Sequence, residues 1–123
     1  MRSLLLSRVR SFRYALAGLR TLAATQPNFR IHLLATGGVI LAGALLGISR
    51  GDWLWLAAAV FSVWLAEAFN TALELLADAV TTETHPLIGR AKDCAAAAVL
   101  ISAAGALVVG GLVLGPRLLE RLG

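Results

Sequence analysis

Apolar positions divide the chain into four segments that are separated by short polar breaks. Within residues 1–27 the apolar side chains recur at steps of three or four, which predicts an amphipathic helix lying in the membrane interface. The positions of this apolar stripe are Leu5, Val9, Phe12, Leu16, Leu19 and Ala23. Three longer apolar runs follow, and each is long enough for a helix to cross a bilayer. We therefore predict membrane-spanning helices at residues 30–49, 53–80 and 91–115.

Polar residues and prolines set the predicted boundaries of these helices. Gln26-Pro27-Asn28 is expected to break the first helix, since proline lacks the N–H group that a helix interior needs. Arg50-Gly51-Asp52 predicts a tight turn, and residues 81–89 predict a polar loop. We expect Pro116 to end the last helix.

Composition supports a membrane protein built from a single domain. The chain has 123 residues, of which 59% are hydrophobic and only 15% are charged. The predicted fold class is therefore an all-α membrane protein. A net charge of +4 does not indicate nucleic-acid binding, because no basic stripe is interleaved with aromatic residues. The single cysteine, Cys94, excludes an intramolecular disulfide and a thiol-built metal cluster.

The arginine and lysine residues predict the orientation in the membrane. With three spans, residues 1–30 and 81–93 lie on one side and carry eight basic residues, against three on the other side. Basic residues are enriched in cytoplasmic loops, so the N-terminus should be cytoplasmic and the C-terminus outside.

One row of polar residues interrupts the second predicted span. Glu67, Asn70, Glu74 and Asp78 lie within about 80° of one another around an α-helix. The row is about 16 Å long at the helical rise. Ionisable groups at membrane depth are costly, so such a row indicates a functional site that faces protein or water.

The residue types in and near this row suit phosphoryl transfer. Carboxylates and an amide, without paired thiols or histidines, match the ligand preferences of Mg²⁺. Lys92, which opens the third span, suits a phosphate group. No Walker motif or kinase glycine loop is present, so a nucleotide site would be of another design. The structural alternative is that these side chains merely pair across helices, and His32 is expected to be a neutral interfacial side chain.

Two other classes of protein compete with an enzyme. A small multidrug-type transporter would use intramembrane acidic residues, but it needs four spans and usually one acid instead of a row. A non-enzymatic membrane subunit would leave the row and the Lys92-Asp93 pair without a role. Nucleotide binding would separate the kinase hypothesis from both.

Two motifs resemble those of a known family. The first is Glu67-x-x-Asn70-Thr-Ala-x-Glu74-x-x-x-Asp78, and the second is Gly89-Arg-Ala-Lys92-Asp93 followed by small residues. Together with the basic N-terminal helix and three spans, they resemble the prokaryotic diacylglycerol kinase family, which includes the undecaprenol kinases. The resemblance covers essentially the whole chain.

The resemblance implies a homotrimeric, multi-pass enzyme of the bacterial inner membrane that phosphorylates a lipid alcohol with MgATP. Its active sites, shared between neighbouring subunits, would lie at the cytoplasmic interface. By position, Glu67 would be the general base and Glu74 a metal ligand. The residues that would support the nucleotide are Tyr14, Asn70, Asp78, Lys92 and Asp93.

One position departs from the family pattern, and the lipid stays open. A second metal-binding glutamate of the family aligns with Gln26, whose amide oxygen can still bind Mg²⁺ but brings no charge. Glu83 could replace that glutamate. The acceptor could be diacylglycerol, giving phosphatidic acid, or undecaprenol, giving undecaprenyl phosphate. The segment Asn28-Phe-Arg-Ile-His32 looks more like the undecaprenol kinases.

Overall fold

A computed structural model describes residues 1–123, apart from the side chains of residues 2 and 3. The chain forms four helices and, within the described residues, no strand. They are α1 (Arg2–Thr25), α2 (Pro27–Leu46), α3 (Arg50–Val80) and α4 (Pro86–Leu122). Helices α2, α3 and α4 are long and apolar enough to cross a membrane. The predicted all-α membrane architecture with three long apolar helices is confirmed.

The junction between α1 and α2 is a single extended residue. Gln26 ends α1 with φ −109° and ψ 104°, and Pro27 already occupies the first turn of α2. Proline is well suited to this position, because the N–H it lacks would have no partner there. Arg30 donates from Nε to the carbonyl of Ala23 at 2.7 Å, and its guanidinium also binds the carbonyl of Ala24. The α2 arginine therefore satisfies two carbonyls at the end of α1.

The turn between α2 and α3 lies earlier than predicted. Gly47 takes a left-handed conformation with φ 62°, and the N–H of Ile48 donates to the carbonyl of Gly43. Ser49 then caps α3, since its side chain accepts from the N–H of Asp52 while the Asp52 carboxylate accepts from the N–H of Ser49. The prediction of a tight turn at residues 50–52 is wrong, because this reciprocal cap makes them the first turn of α3.

Helix α4 is longer at both ends than predicted. It begins at Pro86, where His85 accepts the N–H of Leu87 on its Nδ1. It continues through Pro116 to Leu122, so the prediction that Pro116 ends the helix is wrong. Proline removes one backbone hydrogen bond, but the many remaining bonds of a 37-residue helix keep the helix continuous through this position.

The interior of the single chain is small and lies mainly around α3. Helices α3 and α4 make the most extensive contact, as an antiparallel hairpin. The buried apolar side chains are Leu22, Phe29, Ile48, Leu56 and Val63. Along α4, whose side chains are all described, no residue is buried. The apolar stripe predicted for α1 is also exposed, except at Ala23, which is half-buried. Apolar surface on this scale is typical of a protein surrounded by lipid or by other subunits.

Helix α3 contacts all three other helices. With 31 residues it is about 46 Å long. Its buried positions, Leu56, Val63, Glu67 and Thr71, follow one face at steps of seven and four. Three of the four predicted site residues on α3 lie beyond the point at which α2 covers this face.

Gly43 permits the close approach of α2 to α3. A methyl group added there would lie 2.7 Å from Cη2 of Trp53, which is closer than side-chain atoms pack. We expect Gly43→Ala to lower the free energy of unfolding by about 1–3 kcal/mol, because the indole ring must move. Thermal unfolding in detergent measures the change. Gly38→Ala is the matched control on the same helix, since its methyl group would meet no atom within 4 Å. Equal stability of the two variants would contradict the packing argument.

Candidate active site

The polar row on α3 runs from a buried end to an exposed end. Glu67 is only 2% exposed, whereas Asn70 and Glu74 are half-buried and Asp78 is exposed. The row therefore changes its surroundings over about 16 Å, from protein interior to solvent. A site with this gradient can hold a poorly solvated group at one end and a highly charged group at the other.

Glu67 is buried because α1 and α2 cover the same part of α3. Val63 and Thr71, one turn before and after it, are also buried. The first turns of α2 bring Phe29 and His32 to this level, and Phe29 is 2% exposed. Leu19 and Leu22 of α1 line a groove with Ala68 and Thr71 of α3. A carboxylate in such a position has lost most of its water and needs partners in the protein.

The partner that the structure provides is His32. Its Nε2 lies 3.2 Å from Oε1 of Glu67, with the two side chains 22% and 3% exposed. Oε1 makes no hydrogen bond that meets the usual geometric criteria with any described residue. The sequence analysis expected a neutral interfacial side chain at His32 and did not predict this contact.

A second contact joins α2 and α3 one turn away. Trp64, three residues before Glu67, donates from Nε1 to Oγ1 of Thr36 at 3.2 Å. Thr36 in turn donates to the carbonyl of His32 at 2.7 Å. The ring of Phe29 meets the ring of Trp64 edge to face, with centroids 5.6 Å apart. These contacts fix α2 against α3 next to Glu67.

Two further polar atoms next to Glu67 are buried without a partner among the described residues. They are Oδ1 of Asn70 and Oγ1 of Thr71. Buried polar atoms nearly always have a partner, so these two oxygens are candidates to bind a substrate group or an ion. Thr71 was not predicted as a site residue, because a threonine in an apolar helix carries no distinctive signal.

Lys92 and Asp78 form the exposed end of the site. Nζ of Lys92 donates to Oδ1 of Asp78 at 2.6 Å, and the two side chains are 36% and 62% exposed. Glu74 adds negative charge near the same ammonium group. An ammonium group has three donors, so Lys92 keeps two for another acceptor.

Three predicted site residues do not join this group within the described contacts of the chain. Asp93 is exposed, and helical geometry turns it about 100° away from Lys92. Tyr14 is 72% exposed and lines a shallow hollow on α1 with Arg10 and Arg13. Gln26 is half-buried at the junction of α1 and α2, where its amide donates to Oγ1 of Thr25 at 3.1 Å.

The oxygen donors present fit Mg²⁺ better than a transition metal. Asn70 Oδ1 is unpaired among the described residues, and Glu74 follows it by four residues on the same face. The described residues contain no group of three histidine, cysteine, aspartate or glutamate side chains that could hold an ion alone. Mg²⁺ usually takes one or two carboxylates together with phosphate oxygens and water, so this donor set fits an ion that arrives with a phosphate.

Comparison with known proteins agrees with the geometry. A family model described as prokaryotic diacylglycerol kinase matches residues 13–114. The chain is 46% identical over 113 residues to a diacylglycerol kinase of Synechocystis sp.. The aligned region covers 91% of this chain but only 65% of that protein's length. The chain is 34% identical over 109 residues to an undecaprenol kinase of Bacillus subtilis, covering 89% of each. A diacylglycerol kinase of Haemophilus influenzae is 32% identical over 107 residues, covering 87% of each.

The buried carboxylate at position 67 should make the folded protein less stable than an apolar side chain there would. We expect Glu67→Met to raise the free energy of unfolding by about 1–3 kcal/mol, because it replaces an incompletely paired buried carboxylate with an apolar side chain of similar length. Denaturation in detergent measures this, with Glu74→Met at the half-buried site as the control. A loss of stability in Glu67→Met would contradict this expectation and show that the carboxylate is well paired in the folded protein.

Proposed function

This chain belongs to the prokaryotic diacylglycerol kinase family, and on that premise we propose that it transfers the γ-phosphate of MgATP to the hydroxyl group of a membrane lipid alcohol. The observation that carries the proposal is the buried Glu67 carboxylate beside His32, at the inner end of a polar row that reaches solvent at Asp78. A lipid hydroxyl would reach the buried end from the bilayer, and a nucleotide would reach the exposed end from water.

In this proposal Glu67 is the general base. Its carboxylate accepts the proton of the lipid hydroxyl, whose oxygen attacks the γ-phosphorus. The bond from that phosphorus to the bridging β-phosphate oxygen breaks, and ADP leaves with the electron pair. The two heavy atoms that exchange the proton must come within about 3 Å, directly or through one water.

The remaining row would bind the nucleotide. Glu74 and the unpaired Oδ1 of Asn70 would hold Mg²⁺, which offsets phosphate charge when bound. Lys92, oriented by Asp78, would contact phosphate oxygens through its free donors. Tyr14 and Asp93 would complete the nucleotide site, and Gln26 would be a weak second metal ligand.

We further propose that the functional form is a homotrimer with shared sites in the bacterial inner membrane. The chain would be one domain with α1 lying in the interface and its N-terminus cytoplasmic. The excess of basic residues on the side of the N-terminus supports this orientation. The exposure of Tyr14 and Asp93 supports shared sites, because it leaves these two residues accessible to a neighbouring subunit. The transporter alternative is not favoured, because the family match covers residues 13–114.

The acceptor is proposed to be undecaprenol or diacylglycerol. A largely apolar groove between α3 and α4 is lined by Phe69, Leu73, Leu76 and Ala98, with Ser62 and Asn70 as its polar lining residues. Such a groove accepts a hydrocarbon chain without distinguishing one long tail from another. The relatives carry both names, a diacylglycerol kinase and an undecaprenol kinase.

Replacement of the base tests the function directly. We expect Glu67→Gln to reduce phosphate transfer from labelled ATP by on the order of 10²–10⁴-fold, since the amide cannot accept the proton. Diacylglycerol and undecaprenol should be offered separately in mixed micelles, and the faster acceptor identifies the substrate.

Two results would contradict this proposal. Wild-type rates in Glu67→Gln would exclude Glu67 as the base. Transfer to neither lipid by folded wild-type protein with Mg²⁺ would exclude the proposed acceptors. Ser7→Ala is the control variant, because Ser7 is exposed and its hydroxyl bonds only its own helix through the Leu4 carbonyl.

The uncharged amide at Gln26 gives a separate prediction. Carboxylate charge tunes the affinity of a metal site, so Gln26→Glu should lower the Mg²⁺ concentration for half-maximal activity by on the order of tenfold. Titration of activity with Mg²⁺ at fixed ATP measures it. Glu83→Gln in the exposed loop is the control. A higher Mg²⁺ concentration for half-maximal activity in that variant would assign the missing charge to Glu83 instead.

A further inference from the structure

The contact between His32 and Glu67 has no part in the proposed transfer, although it involves the most buried charged group of the described chain. We propose that His32 is a positioning residue: its Nε2–H holds Oε1 of Glu67, so that the second carboxylate oxygen is directed at the lipid hydroxyl. The proposal rests on the function proposed above for Glu67.

Distance and burial support this assignment. Nε2 and Oε1 are 3.2 Å apart, which is within reach of a hydrogen bond after a small rotation of either side chain. Oε1 has no hydrogen-bond partner among the described residues, so no other described group competes for it. An unpartnered buried oxygen is unfavourable, which favours alignment of the imidazole N–H with it.

The surroundings hold His32 in place. Thr36 lies four residues after His32 on α2, and Trp64 lies three residues before Glu67 on α3. The Trp64–Thr36 hydrogen bond is thus a second cross-link between the same two helices, one turn from the first. Because the Thr36 hydroxyl also donates to the His32 carbonyl, it ties the two cross-links together.

The chemistry explains why such a residue would help a base. A carboxylate has two equivalent oxygens, and a free side chain would rotate between several orientations. With Oε1 held, only Oε2 remains for the substrate, and its direction is fixed. The neutral tautomer that carries a proton on Nε2 and the imidazolium both donate from this atom, so the contact does not require a charge on His32.

The first test separates turnover from binding. We expect His32→Ala to lower kcat by on the order of 10- to 100-fold, because a misplacement of about 1 Å can reduce a rate by that amount. KM for ATP and for the lipid should change little, since the residue is not proposed to bind either substrate. His32→Gln, whose amide can donate in place of the ring, should recover part of kcat.

A second test uses the other cross-link and a matched pair of variants. Thr36→Val removes the hydroxyl with little change in shape, whereas Thr36→Ser keeps it. We expect Thr36→Val to lower kcat in the same direction as His32→Ala, and Thr36→Ser to behave as wild type. Equal rates in the two Thr36 variants would overturn the bracing role of the Trp64–Thr36 bond.

A third measurement does not depend on activity. Hydrophobic carbodiimides modify protonated carboxyl groups inside membrane proteins, and mass spectrometry of the peptides locates the modified residue. Loss of the contact with His32 should leave the Glu67 carboxyl group freer to meet the reagent, so its labelling should be faster in His32→Ala and slower again in His32→Gln. Each variant should first be shown to have the oligomeric size of the wild type.

The outcomes distinguish this proposal from the proposed function. Unchanged kcat and unchanged labelling in His32→Ala, with transfer lost in Glu67→Gln, would leave the kinase intact and overturn the role of His32. Absence of lipid phosphorylation by the wild type would overturn the kinase. In that case faster labelling in His32→Ala would still support the positioning contact, and unchanged labelling would overturn it.

Discussion

Glu67 is a carboxylate on the face of α3 that otherwise buries Leu56, Val63 and Thr71. Water has been removed from it, and the nearest compensating group is an imidazole on another helix. Helix α2 packs against α3 around this contact, since Phe29 meets Trp64 and the Thr36 hydroxyl accepts from the same indole. Arg30, from the first turns of the same helix, binds the end of α1. The buried Glu67 carboxylate thus lies close to where α1, α2 and α3 come together.

The opposite end of the row obeys a different constraint. Asp78 and Lys92 are exposed, and exposed ion pairs contribute little to stability. The pair is better understood as an arrangement of charge than as a cross-link. Between the two ends, Asn70 and Glu74 are half-buried, with the amide oxygen of Asn70 unpaired among the described atoms. The site thus runs from a buried end at Glu67, where charge is unfavourable, to a solvent-exposed end at Asp78, where charged groups are readily accommodated.

Periodicity was enough to predict four helices and the shared face of Glu67, Asn70, Glu74 and Asp78, because both depend only on local helical geometry. Contacts between helices depend on register, which a single sequence does not contain. The interaction of His32 with Glu67 was missed for this reason. Boundaries failed where two local signals competed: the Ser49–Asp52 cap made a helix of residues expected to turn, and the length of α4 outweighed Pro116. Tyr14, Gln26 and Asp93 remain predictions from resemblance, since the described contacts do not bring them to the row.

The length of α3 connects this site to the lipid around it. A helix of about 46 Å exceeds a hydrocarbon layer of about 30 Å by about 16 Å, which is the length of the polar row itself. The thickness of the membrane therefore determines how many residues of the polar row are exposed to water. Each additional 3 Å of hydrocarbon would immerse about two more residues of α3, first near Asn70 and then near Glu74. An enzyme built in this way would sense bilayer thickness through hydrophobic mismatch, without a regulatory domain.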